Sequence, residues 1–305
     1  MIDLHCDILY RLAEDGGSLI NNKCQFDVGR AEKAGLNLQF LALFTNAEAN
    51  MGNKVIDRQI GIFFQALEDN PKLKLIRRYR DVSENFQRNS FSCLLHLENG
   101  AVLQESTERL QELYNKGIRS LGLTWNYRNG LADGVNEEDD QGITKAGRNI
   151  IGAMLDMGMI LDLAHISERS FFQALDLYPK PVLVTHANAY GICPHKRNLK
   201  DQQLKKLAEH EGAVGVTLVT DFVAASDDKP ADTDKLMDHF VYIADLIGPE
   251  HIALGSDFDG ADDMVMAGVE QYAEWEPLFL RRGFSKREID MIMRNNALRI
   301  LSAII

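Results

Sequence analysis

The sequence predicts an α/β protein of the (β/α)8 TIM barrel class, built as a single domain over residues 1–305. Three observations predict it. Eight short apolar segments recur along the chain. Helical patterns separate most of them, and candidate catalytic side chains gather at the segments' C-terminal ends. The segments are Met1–Asp7, Asn37–Thr45, Phe91–Asn99, Ile118–Trp125, Met159–His165, Pro181–Ala187, Ala213–Val219 and His251–Gly260. Most are continuous apolar runs, as strands of a parallel sheet buried on both faces require. A doubly wound open sheet is the alternative. No G-x-G-x-x-G follows any segment, so a dinucleotide site has no support.

Between the segments, Arg58–Asp69 repeats its apolar residues at helical spacing. Gln104–Asn115, Lys145–Met157, Glu168–Asp176, Asp201–Glu211 and Thr233–Ile247 do the same. The C-terminal stretch Ser285–Ile304 reads as one long helix opened by a capping box of Ser285 and Glu288. Asn126–Thr144 and Ala224–Asp232 read as loops. Both follow strand segments, where a barrel places its active-site loops. The charge runs Glu137–Asp140 and Asp227-Asp228 read as solvated loop surface.

Composition narrows the function classes. The net charge of −12 comes with no basic block to neutralise phosphates, so nucleic acid is excluded as a partner. Cys6, Cys24, Cys93 and Cys193 are scattered without C-x-x-C spacing, which points to reduced, buried thiols rather than a disulfide framework. No apolar run approaches the roughly 20 residues a membrane span needs, so no membrane partner is expected. No basic n-region or cleavage site opens the chain, and the expectation is a cytoplasmic protein.

The chemistry lies at the segment ends. His5-x-Asp7 closes the first segment. On an extended strand these two side chains point the same way, giving a divalent metal one nitrogen and one oxygen donor. Glu98 ends the third segment, His165 the fifth and His186 the sixth, while Asp257 lies near the end of the eighth in Gly255–Gly260. A barrel brings all strand C-termini to one rim. Five nitrogen and oxygen donors are too many for one tetrahedral zinc and suit two metals bridged by a carboxylate. Each of these residues alone reads more simply as a satisfied core or surface side chain. Their joint order around a barrel does not.

The chain resembles the membrane dipeptidase (renal dipeptidase) family of zinc peptidases, within the amidohydrolase superfamily. The matching stretches are Asp3–Asp7 (DLHCD), Leu97–Gly100 (LENG), Leu123–Trp125 (LTW), Leu161–Ser167 (LDLAHIS), Thr185–Tyr190 (THANAY), Lys196–Asp201 (KRNLKD), Gly255–Gly260 (GSDFDG) and Asn295–Ile300 (NNALRI). They span nearly the whole chain in order. The resemblance implies two Zn2+ ions, one held by His5, Asp7 and Glu98, the other by Glu98, His165 and His186. Cobalt or manganese would fit the same donors. Glu98 is then the bridging carboxylate. Many superfamily relatives use a carboxylated lysine on the fourth strand instead, and this chain carries none there. Asp257 matches the family's proton-transferring aspartate, with Asp259 ranked second. Beside two cations, Asp257 is expected to rest ionised. Arg197 matches the arginine that faces the substrate's carboxylate, a role suited to a guanidinium.

Two departures bear on substrate. Vertebrate members carry a histidine, thought to polarise the substrate carbonyl, where this chain has Trp125. Indole offers one N–H donor and no charge. Family members often show an Asn-Phe-Tyr-like run after the seventh strand, where this chain has Thr217-Leu218-Val219-Thr220-Asp221-Phe222. His96 lies two residues before Glu98, on the same strand face; it reads either as a partner behind the ligands or as part of a lower barrel layer, with the structural role favoured. His195, His210, His239 and His251 are not expected to be ligands. The implied activity is hydrolysis of dipeptides, L,D-dipeptides among them, by a metal-bridging hydroxide. A homodimer is a family-level expectation. Another amide, N-acyl amino acid, lactam or lactone hydrolase of the superfamily stays open, as does a non-catalytic metal-binding scaffold.

Overall fold

A computed structural model describes residues 1–46, 49–225 and 231–305. The described residues hold nine parallel strands: β1 (Ile2–Asp3), β2 (Leu38–Leu43), β3 (Leu73–Leu75), β4 (Phe91–Leu97), β5 (Ile118–Gly122), β6 (Ile160–Asp162), β7 (Leu183–Val184), β8 (Ala213–Val216) and β9 (Ile252–Leu254). They hydrogen-bond in the order β2-β1-β9-β8-β7-β6-β5-β4, and β2 pairs with β4 to close the ring. Eight strands thus form a closed barrel with helices around it, a TIM barrel. Every one of the eight coincides with a predicted apolar segment.

The ninth strand, β3, was not predicted. It pairs with the first half of β4 (Leu73 beside Phe91, Leu75 beside Cys93), and β5 takes over the second half. Its Leu-Lys-Leu sequence is too short and too mixed to register as an apolar run. The regular ladders are also shorter than the apolar segments, so the candidate donors stand past the strand ends rather than on them. His165 is three residues beyond β6, His186 two beyond β7, and Asp257 three beyond β9.

The helices Lys145–Met157 and Thr233–Ile247 have the predicted bounds. Their ends are chemically marked. Thr144 and Asp232 accept backbone N–H bonds at the starts, and Gly158 and Gly248 close the ends. The helix over Arg58–Asp69 begins earlier, at Ala49. Ile8–Asp15, Val28–Lys33, Tyr79–Gln87 and Trp275–Arg281 are helices that were not predicted. The C-terminal stretch has the predicted capping box at Ser285 and Glu288, but Met291–Asn295 winds as a π-helical turn between two α-helical parts. Just after that turn, Asn296 donates to the carbonyls of Pro249 and Ile252, each at 2.8 Å, and ties the helix to the base of β9.

Alternation along β4 separates two cores. Phe91, Cys93, Leu95 and Leu97 face the helices, while Leu94 packs inside the barrel with Ile2, Leu4, Leu38 and Phe40. Ala297, Ile300 and Leu301 of the C-terminal helix pack with this inner group. His96 and Glu98 continue the inward face beyond Leu94, so the barrel interior changes from aliphatic to polar along one strand. None of the four cysteines forms a disulfide, and Cys24 is half-buried rather than fully buried as expected. No described helix is long and apolar enough to cross a membrane. The expected loop Asn126–Thr144 holds no helix or strand. The Asp227-Asp228 pair lies outside the described residues.

Two glycines are set by close approach. A Cβ on Gly255 would lie 1.9 Å from the Thr185 carbonyl oxygen, and one on Gly215 would lie 2.2 Å from the same atom. The backbone must therefore shift to admit even a methyl group. Gly255→Ala should lower the free energy of unfolding by about 1–3 kcal/mol. Urea denaturation measures it, and a midpoint unchanged from wild type would refute the close-approach argument.

Candidate active site

The site is built where the backbone leaves the barrel. β1 and β9 run on as paired chains past their ladders. Leu4 donates to the Leu254 carbonyl, Asp257 to that of His5, and Asp7 to that of Phe258. Asp7 is not extended, as the strand reading assumed. Its φ and ψ of −94° and 15° place it at the start of the helix Ile8–Asp15. Its carboxylate still reaches His5, with Oδ2 at 3.2 Å from Nε2. His165, Asp257 and Asp259 have φ of 62°, 67° and 65°, in the left-handed region. Such conformations cost about 1–3 kcal/mol each and cluster at functional sites.

The five predicted donors converge. Glu98 Oε1 lies 2.9 Å from His165 Nε2 and 3.8 Å from the Nε2 atoms of both His5 and His186. His165 Nε2 and His186 Nε2 are 2.7 Å apart. Asp257 Oδ1 stands 3.9 Å from His5 Nε2, and donor atoms of His5, Asp7 and Asp257 all lie within 4.8 Å of one another. All six side chains are buried.

These residues fit a metal. Two donors bound to one zinc at about 2.0–2.2 Å in tetrahedral geometry are about 3.4 Å apart, within the spread of spacings seen here. Asp7 Oδ1 is buried without a hydrogen-bond partner, and so is His5 Nε2 despite its nearness to Asp7. His165 Nδ1 lies 2.8 Å from Asn126 Oδ1. An amide oxygen only accepts, so the ring carries its proton there and turns the Nε2 lone pair inward. Asn126 was missed in the sequence, although it directly follows Trp125 in the same loop.

Electrostatics point the same way. Burial, with Asp7 and Asp257 nearby, raises Glu98 well above the ordinary carboxylate range. Burial opposes a charge on His5, yet Asp7, Glu98 and Asp257 outweigh it and raise its pKa to about 10. His165 and His186 are held neutral, first by burial and then by neighbouring cationic groups. The protein's own groups push Asp257 up to about 7, chiefly through burial, so the ionised resting state expected for it requires added positive charge. Asp259, the second-ranked alternative, is committed elsewhere. Its carboxylate accepts the backbone N–H groups of Gln25 and Phe26 at 2.9 and 3.1 Å.

A cavity of about 290 Å³ opens over these groups. Tyr10, Phe44 and Trp125 form one wall, with ring centroids 5.5 and 5.3 Å apart in sequence. Arg197 and Phe222 also line it, the guanidinium 5.6 Å from the ring centroid. Arg197 is buried. It donates to the His186 carbonyl at 3.2 Å, and its Nε has no partner. Burial lowers its pKa to about 10, against the pull of Asp257 and Glu98. His96 sits below, with Nε2 3.3 Å from Asp162 Oδ2 and Nδ1 3.0 Å from Ser120 Oγ. His195 stacks on Phe222, while His210, His239 and His251 each contact a backbone carbonyl away from the donors.

Protons and cations compete here. Glu98 and Asp257 bind protons more tightly in the folded chain than in the unfolded one, where carboxyls titrate near pH 4. Rising pH therefore removes stability from the metal-free protein from about pH 4 up to those raised values. His5, raised to about 10, adds a further loss as pH climbs through its own folded value. A cation takes the place of these protons. Zinc should thus raise the melting temperature more at about pH 8 than at about pH 5.5. Thermal scans with and without zinc measure it, and equal shifts at both pH values would refute the competition.

Comparisons with known proteins agree with this architecture. A family model described as membrane dipeptidase (peptidase family M19) matches residues 1–304. Dipeptidase aclJ of Aspergillus oryzae (strain ATCC 42149 / RIB 40) is 29% identical over 292 residues, covering 91% of this chain and 69% of that protein. An uncharacterized dipeptidase of Schizosaccharomyces pombe is 33% identical over 225 residues, covering 72% of this chain and 54% of that longer protein. The fold matches a metallopeptidase from Rhodobacter sphaeroides, solved with a phosphinate mimic of the dipeptide L-Ala-D-Ala. That match has a TM-score of 0.91 at 22% identity and covers 100% of this chain and 99% of the other. The chain belongs to the membrane dipeptidase family, peptidase family M19, and is a metallopeptidase.

Proposed function

We propose that residues 1–305 form one catalytic domain that hydrolyses dipeptides at a dinuclear zinc centre. His5, Asp7, Glu98, His165 and His186 are the proposed ligands, with Glu98 as the bridge. The observation that carries this reading is the position of Glu98 Oε1, within 3.8 Å of three histidine Nε2 atoms. Bound there, the two ions would supply a bridging hydroxide at neutral pH and an electrophile for the scissile carbonyl.

The chain's own residues do the rest. The Arg197 guanidinium, buried with an unpartnered Nε, binds the substrate's terminal carboxylate. Fixing that end in a cavity of about 290 Å³ restricts substrates to short peptides. Tyr10, Phe44 and Trp125 pack against the substrate and exclude water from that side. Asp257 takes a proton during attack and returns it to the departing amine. Its place 3.9 Å from His5 supports that role, and the engagement of Asp259 with Gln25 and Phe26 removes the nearest competitor.

The direct test is amine release from L,L- and L,D-dipeptides by purified protein loaded with zinc, against a chelated control. The ligand in the Rhodobacter sphaeroides relative supports including L,D-substrates. Zinc-dependent cleavage is expected. Bound zinc without cleavage of any dipeptide would overturn the peptidase reading in favour of a non-peptide amide or lactone. Asp257→Asn should lower kcat by about 10²–10⁴-fold while zinc stoichiometry stays at the wild-type value. Undiminished turnover in that variant would remove Asp257 from the proton-transfer role.

A further inference from the structure

A metal-binding imidazole holds its orientation only if its other nitrogen is fixed. Asn126 does this for His165. His5 and His186 share a single partner. Thr185 Oγ1 lies 3.0 Å from His186 Nδ1 and 3.3 Å from His5 Nδ1. The same oxygen lies 2.8 Å from Asp162 Oδ2. All four residues are buried.

A threonine hydroxyl has one proton to give and two lone pairs to receive with. Asp162 is surrounded by donors. Its Oδ1 accepts the backbone N–H groups of Thr185 at 2.8 Å and Ala164 at 3.1 Å, and His96 stands 3.3 Å from Oδ2. Burial alone would raise this carboxyl, yet His96 and the Thr185 donors hold it below its ordinary value. An ionised carboxylate only accepts, so the Thr185 proton goes to Asp162. Only lone pairs remain for the two imidazoles, and each ring must present Nδ1–H to the hydroxyl. The Nε2 atoms of His5 and His186 are then both turned toward Glu98.

The backbone of Thr185 is fixed at both ends. Its N–H is bound to Asp162, and its carbonyl oxygen lies against Gly215 and Gly255, where no Cβ fits. The hydroxyl is thus held in place between two strand ends, β7 and β1, that the chain separates by 180 residues.

We propose that Thr185, backed by Asp162, is a positioning residue that sets the ring orientation and tautomer of both His5 and His186 for metal binding. The inference rests on the metal-centre reading above. It accounts for two ligands with one side chain and assigns a role to the Asp162–His96 pair beneath the site.

The test compares Thr185→Val, which keeps the shape and loses the hydroxyl, with Thr185→Ser, which keeps the hydroxyl. Zinc affinity is read by competition with a chelating dye, and ring tautomers by nitrogen NMR of histidine-labelled wild-type protein. Thr185→Val should bind zinc about 10–100-fold more weakly, with Thr185→Ser close to wild type. The NMR spectrum should show Nδ1–H at His5 and His186. A folded Thr185→Val that binds zinc as tightly as wild type would overturn the inference. So would a bare Nδ1 at His186, whether or not zinc is bound, and that second readout stands if the valine variant does not fold. Wild-type protein that takes up no zinc would sink the metal reading itself, while the His186 tautomer of the ion-free protein would still decide this one.

Discussion

Asp7, Glu98 and Asp257 are buried together at one end of the barrel, and the cost of taking them out of water shapes the rest of the site. Carboxylates out of water are tolerated only beside positive charge or fixed donors. Arg197 supplies one guanidinium, itself strained by burial, since its pKa falls to about 10. His5 is drawn toward a charged state for the same reason. Glu98 and Asp257 stay raised, chiefly through burial, despite these two cationic neighbours. Added positive charge at this point would relieve these shifts.

The same constraint explains why the ladders stop short. A residue still inside a strand points alternately at the core and at the helices. Bringing donors from β1, β4, β6, β7 and β9 to one point requires the backbone to turn first. His165 and Asp257 do so with left-handed φ values. This is why the strand order and the donor set were legible in the sequence while the strand ends were not. An apolar run records burial, and burial continues through Leu163 and Ala164 after the ladder of β6 has ended.

Other elements divide by the strength of their local signal. Lys145–Met157 and Thr233–Ile247 carry caps at both ends and a clear apolar face, and both were readable to the residue. Tyr79–Gln87 buries only Val82 and Asn85, one of them polar, so few apolar residues mark it in the sequence. Ile8–Asp15 follows an apolar segment without a break, so its start at Asp7 is hidden in the sequence. Thr185 was invisible for a different reason. A hydroxyl's role depends on which of its neighbours accept and which donate. Those neighbours, Asp162 and His5, are brought to it only by the closed barrel.

The departure at Trp125 can now be placed. The residue that orients a proposed ligand in this loop is its neighbour Asn126, whose oxygen fixes His165. The Trp125 ring lies 6.0 Å from that histidine and 5.3 Å from Phe44, as part of the wall that begins at Tyr10. Exchange of a histidine for tryptophan at this position therefore leaves the donor geometry untouched and changes only the wall that substrate meets. The ligand set and the substrate wall are thus separable. The first is locked by Asn126 and Thr185 from behind. The second is an aromatic strip that meets the donors where Trp125 lies beside His165.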